Sequence, residues 1–96
     1  MAALPTIRLD DFSGRIGERF QVEAAGHRLD LTLDAAQALP GSPRADGGFR
    51  LEFLGPTDPM LAQGVFPVAI GDDWLEIFLV PIARDASGAR YEAVFY

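Results

Sequence analysis

From Phe20 onward, the large apolar side chains of this chain recur at every second position. Phe20, Val22 and Ala24 alternate with Arg19, Gln21 and Glu23. Leu29, Leu31 and Leu33 alternate with Arg28, Asp30 and Thr32, and Phe49, Leu51 and Phe53 alternate with Arg50 and Glu52. Successive side chains of a β-strand point to opposite faces, so each run predicts a strand with one wet face and one buried face. Two further runs follow the same rule, one through Phe66, Val68 and Ile70 and one through Tyr91, Ala93 and Phe95. The run from Trp74 to Ile82 is apolar on both faces, with Leu75, Ile77 and Leu79 on one side and Phe78, Val80 and Ile82 on the other.

Breakers separate these runs: Ala25-Gly26-His27, Pro40-Gly41-Ser42-Pro43, Asp46-Gly47-Gly48, Gly55-Pro56-Thr57-Asp58-Pro59, Gly71-Asp72-Asp73 and Asp85-Ala86-Ser87-Gly88. The pattern predicts strands over 19–24, 28–33, 49–54, 64–70, 74–82 and 90–95. Asp34 to Leu39 can form a helical turn or extend the second strand. One short helical stretch is expected over 10–16, with Asp10 as its cap, Leu9, Phe12 and Ile16 on one face, and Gly17 ending it in a left-handed conformation. Strands joined by turns favour antiparallel pairing, and the chain has no βαβ spacing. The expected fold is therefore all-β: a small antiparallel barrel or two-layer sandwich of about six strands with one short N-terminal helix.

Ninety-six residues and 10.4 kDa fit one domain. A chain of this mass buries about 64% of its surface on folding, enough for one core without staples. With no cysteine, thiol catalysis, disulfide frameworks and thiolate zinc sites are excluded; with one histidine, so is a multi-histidine metal site. A net charge of −6 opposes general nucleic-acid binding. All eight basic residues are arginine, and lysine and asparagine are absent, which reads as a compositional bias of the genome. No apolar run approaches the ~20 residues that span a bilayer, and the first residues carry no charged n-region or apolar h-region. A complete single domain in the cytoplasm is expected, with no membrane or nucleic-acid partner.

Candidates for chemistry are few. His27 lies in an expected hairpin turn near Glu23 and Asp30, too exposed for a cleft-bound general base. Ser13, Ser42 and Ser87 occupy turn settings, and none sits in a G-x-S-x-G elbow. Asp72, Asp73 and Glu76 are the densest acidic cluster; carboxylates can ligate calcium or magnesium, but the spacing also suits a solvated hairpin tip. Gly41 and Gly47-Gly48 lack the lysine and helix start of a phosphate loop. No catalytic, cofactor or metal site is therefore expected.

Two features exceed what a plain barrel needs. The two-sided run from Leu75 to Ile82 calls for a cover, either the N-terminal helix or a second chain, and Pro81 belongs at a bulge or an edge. The long 34–48 segment offers Leu39, Arg44 and Asp46 as contacts. The last strand, if it lies at an edge open to strand addition, adds Val94 and Tyr96. The function expected from these features is a non-catalytic structural or accessory role through protein–protein contacts, with an unidentified partner or a second copy. One alternative is a small barrel binding a sugar or lipid, with Trp74, Phe66 and Tyr91 as an aromatic platform. Another is a carboxylate-dependent enzyme using Asp72, Asp73, Glu76 or His27.

Several pieces occur in a distinctive order: Leu9-x-x-Phe12-x-x-x-Ile16-Gly17, Leu39-Pro40-Gly41-Ser42-Pro43-Arg44, Phe49-x-Leu51-x-Phe53-x-Gly55-Pro56, Gln63-Gly64-x-Phe66, Phe78-Leu79-Val80-Pro81-Ile82 and Tyr91-Glu92-Ala93-x-Phe95. This arrangement resembles a family of small uncharacterised bacterial domains of about this length, whose members neighbour phage tail-collar-like proteins. The resemblance covers Leu9 to Tyr96. It implies an assembly or accessory role, possible in a phage-tail-like or surface structure, and brings no catalytic or binding residues with it.

Overall fold

Every alternating run becomes a strand. The computed structural model describes residues 8–44, 47–58 and 60–96. Within them lie helix α1 (Asp10–Ser13) and strands β1 (Arg19–Ala24), β2 (His27–Leu39), β3 (Gly48–Gly55), β4 (Gly64–Ile70), β5 (Asp73–Asp85) and β6 (Gly88–Phe95). All pairings are antiparallel, and the ring order β1-β2-β3-β6-β5-β4 closes on itself, so the fold is a barrel and not a sandwich. The buried positions are the inward members of each alternation, such as Phe20, Val22, Leu31, Leu33, Leu51 and Ile77. In a barrel this narrow, side chains fill the interior.

Closure corrects one expectation. β6 is hydrogen-bonded to β3 on one side and β5 on the other, so the last strand is not an edge and cannot accept an added strand along its length. Its inward residues, Tyr91 and Ala93, serve the core. The weakest junction lies elsewhere: β1 and β4 meet in a single register pair, Val22↔Val68.

Two strands run longer than their periodicity suggests, each because of a bulge. In β2 the register with β3 shifts between Leu33 and Ala35. Before the shift the odd positions Leu31 and Leu33 face inward; after it, Ala36 stands opposite the buried Leu51. An extra residue flips the parity of everything beyond it, which is why the alternation is lost at Asp34 although the strand continues to Leu39. In β5 the register with β6 shifts between Pro81 and Ala83. Pro81 therefore adjoins a bulge, as its missing N–H favours, while its strand lies between two neighbours.

The helix is one turn, shorter than 10–16. Leu9 is its cap residue and makes no side-chain capping bond; Asp11 Oδ2 instead accepts a hydrogen bond from the Arg8 N–H at 2.9 Å. Because the turn ends at Gly14, the helical period does not reach Ile16, which stays 51% exposed. Phe12 enters the core, with ring centroids 6.2 Å from Phe20 and 6.1 Å from Phe49, and Leu9 packs half-buried against it. Burying that ring contributes ~1.5–3 kcal/mol. After Gly17, which adopts the left-handed conformation, the chain enters the barrel through bonds from Gly17 N–H to the Leu33 carbonyl and from Leu33 N–H to the Glu18 carbonyl. The α1 backbone lies nearest β2, its Phe12 ring meets Phe20 and Phe49, and Phe78 and Ile82 stay exposed, so among the described residues the helix plugs one mouth of the barrel and does not cover the second face of β5.

Candidate functional site

The outer wall divides by chemistry. Where β2, β3 and β6 adjoin, a group of outward polar and charged side chains is bonded together. Arg50 Nε donates to Glu92 Oε2 at 2.8 Å, Nη1 donates to Gln37 Oε1 at 2.8 Å, and Nη2 lies 3.0 Å from Glu52. Arg90 Nη1 lies 2.7 Å from Asp34 Oδ2 and 3.8 Å from Glu52. The Glu92 hydrogen bond raises the pKa of Arg50 above the ordinary arginine value, and the Asp34 hydrogen bond does so for Arg90. These cations are engaged within the wall.

The outward side of β4, β5 and β6 differs. Val65 on β4 stands opposite Phe78 on β5. The Val80↔Glu92 register, carried two residues along each strand, sets Phe78 across from Val94 on β6. Val65, Phe78 and Val94 are 57%, 49% and 53% exposed, and Ile82 is exposed farther along β5. Of the residues expected on the second face of β5, Phe78 and Ile82 are exposed and Val80 is half-buried; Phe78 joins Val65 and Val94 in an apolar band that no described element covers.

Trp74, on β5 before Glu76 and Phe78, has a partner of its own. The Arg28 guanidinium, on β2, is 5.3 Å from the centroid of the Trp74 ring, on β5. In the ring order these strands flank β1 and β4, so the cation–π contact spans the sparsely paired seam from outside. The expected aromatic platform does not assemble. Trp74 is on the outer surface, Phe66 is half-buried on β4, and Tyr91 is buried in the core.

The structure brings Leu39, Arg44 and Tyr96 to the mouth plugged by α1. Leu39 ends β2 opposite Gly48. Arg44 Nη1 donates to the Gly47 carbonyl at 3.0 Å, and its guanidinium lies 5.5 Å from the Phe49 ring centroid. The Tyr96 hydroxyl donates to the Gly41 carbonyl at 3.2 Å. These contacts hold residues 41–44 against the barrel. Val94 sits apart, on the wall, and Asp46 lies outside the described residues. Asp72, Asp73 and Glu76 are exposed around the β4–β5 turn, and among the described residues no group of three or more His, Asp or Glu side chains is placed to hold a metal ion. Ser87 donates its hydroxyl to Asp85 Oδ1 at 2.6 Å, and Ser42 Oγ accepts from the Arg44 N–H; both serines work as turn residues.

At the opposite mouth lies a cleft absent from any sequence motif. Its volume is about 360 Å³. The β1–β2 hairpin contributes Ala24, Ala25, His27 and Leu29. The facing side comes from Met60, Leu61 and Gln63, with Phe66 below. β3 and β4 occupy opposite places in the ring, so the segment joining them must cross the barrel mouth. It is tied down there: the Leu61 N–H donates to the Tyr91 hydroxyl at 2.7 Å. No periodicity marks these residues, because what unites them is the strand order.

Among the described residues no helix is long and apolar enough to cross a membrane. No curated protein and no solved structure matches this chain. A family model does match, over residues 7–95, and by that match the chain belongs to the family described as domain of unknown function DUF6916.

Proposed function

We propose that this protein is a non-catalytic accessory or structural component that works by binding another protein through the outer face of β4, β5 and β6. The observation that carries the reading is the apolar band of Val65, Phe78 and Val94, each about half exposed on three neighbouring strands. A contiguous apolar patch rimmed by polar groups costs solubility, and such patches mark interaction surfaces. The charged half of the wall satisfies itself, which leaves the apolar half as the adhesive surface.

Charge selects the partner's chemistry. Glu76 lies exposed two residues before Phe78 on β5, Asp72 and Asp73 lie exposed at the β4–β5 turn, and the whole chain carries −6. A second copy would set like charges against each other, whereas a partner with an apolar centre and a basic rim complements both features. The resemblance noted above sets such a role in a phage-tail-like or surface assembly.

Light scattering of the purified protein at high micromolar concentration should return the monomer mass, 10.4 kDa. Immobilised wild-type protein should retain a partner from the native cell extract that a Val65→Glu, Phe78→Glu variant of unchanged thermal stability does not. That partner, once purified, should bind more weakly as salt rises. Equal retention by the variant refutes the surface, and a dimer mass replaces the basic partner with a second copy.

A further inference from the structure

We propose that the cleft between the β1–β2 hairpin and the segment crossing the barrel mouth binds a small, uncharged, mainly apolar molecule with one hydrogen-bonding end. This site lies at the barrel mouth, whereas the surface proposed for protein contact lies on the outer wall.

The cleft is a consequence of how the ring closes. β1 and β4 share the pair Val22↔Val68, and the next inward residues toward the mouth, Ala24 and Phe66, do not pair. Both line the cleft. The strands part above their one bridge, and the gap is walled by apolar side chains instead of by further ladder.

Chemistry narrows the occupant. Charged residues make up 23% of the chain, yet among the described residues none lines the cleft. A charged ligand would give up hydration there without gaining a counter-charge. The polar side chains in the lining are His27 and Gln63, one on each bank. Together they can donate to or accept from one polar end of a ligand. A few placed polar groups in an otherwise apolar concavity are the usual anatomy of a small-molecule site. The volume, about 360 Å³, is near the low end of the ~300–1,000 Å³ range of such sites. It is more than twice the ~150 Å³ that holds benzene in an engineered cavity. A two-ring aromatic or a short acyl body suits it.

The facing bank is held in place from inside the barrel. Tyr91, buried in the core, uses its hydroxyl to anchor Leu61 on the opposite bank. Met60 beside it has the flexible, polarisable side chain that adapts to varied apolar ligands.

The test uses a matched pair of fluorophores, N-phenyl-naphthylamine and anilinonaphthalene sulfonate, which share an apolar body and differ by a sulfonate. The neutral probe should bind the folded protein saturably at one site per chain, at least tenfold more tightly than the charged one. Ala62→Trp, an exposed position on the crossing segment whose larger side chain fills the cleft, should weaken neutral-probe binding at least tenfold with no loss of thermal stability. Amide chemical-shift changes in the wild-type protein should concentrate at residues 24–29 and 60–63, a readout that does not depend on any variant folding. Absence of saturable binding overturns the proposal, as does equal affinity for the two probes. Shift changes concentrated at Phe78 and Val94 also overturn it, because the probe has then bound the outer band.

Discussion

Replacing Tyr91 with phenylalanine removes one oxygen atom and nothing else from a core side chain that is 1% exposed. The ring keeps its packing, so the effect isolates the 2.7 Å bond that the hydroxyl accepts from the Leu61 N–H. A hydrogen bond lost so that its partner stays buried costs ~1–3 kcal/mol. Leu61 is only half-buried, so water can partly repair the loss. The lower half of that range, ~1–2 kcal/mol, is therefore expected. For a domain of this size, each 1 kcal/mol shifts Tm by roughly 4–8 °C. Urea unfolding followed by circular dichroism should show a lower midpoint at an unchanged slope, since the surface exposed on unfolding is the same. Hydrogen exchange should show faster exchange at the Leu61 amide and little change at Val22 or Leu79. A stability change below about 0.3 kcal/mol, with exchange at Leu61 unaltered, refutes the view that the core tyrosine anchors the segment crossing the mouth.

Three further outcomes follow from the geometry. Gly88 has φ of 140°, and a Cβ there would collide with the Gly55 carbonyl across the ladder, so Gly88→Ala should destabilise by about 2–3 kcal/mol in the same urea assay. Ala25 and Gly26 both have positive φ in the two-residue β1–β2 turn, where Asn-Gly is the favoured pair; Ala25→Asn should stabilise by ~0.5–1 kcal/mol, read as a rise in Tm. The Asp85 carboxyl has its pKa lowered below the ordinary 3.8, first by the Ser87 hydroxyl and then by the Ser87 N–H. A carboxyl with a lowered folded-state pKa contributes stability above its unfolded value and loses it as pH falls through the folded one. Asp85→Asn should thus be less stable than wild type at pH 7, and the gap should close in unfolding curves taken below pH 3.8.

The divided wall gives the barrel two surfaces with different prospects. Around Arg50 and Arg90, opposite charges are already paired between neighbouring strands. Such partly exposed pairs contribute little stability singly, but they leave that side engaged with itself. Around Phe78, half of an aromatic ring meets water on a strand whose opposite side already serves the core. The same strand, β5, therefore supplies core through Leu75, Ile77 and Leu79 and a candidate contact through Phe78.

Periodicity alone determined that this chain is sheet, and which member of nearly every alternation points inward, because the two faces of a strand demand opposite solubilities. It likewise singled out the second face of β5 and put Pro81 at a bulge or an edge, since a residue without an N–H cannot continue a regular ladder; the ring order decided for the bulge. Local pattern could not follow β2 past Asp34, where an inserted residue inverts the parity. Nor could it show that Ile16 would fall outside the helical period. Whether β6 was an edge, what α1 covered and where Trp74 lay all depended on the order of strands around the ring. That order alone sends the β3–β4 connection across the barrel mouth, leaves β1 and β4 joined at one pair, and so assembles the cleft from residues 24–29 and 60–66 that no spacing connects. Strand order is set by the total burial of all six faces at once, a property of the closed barrel that no single stretch of the chain possesses.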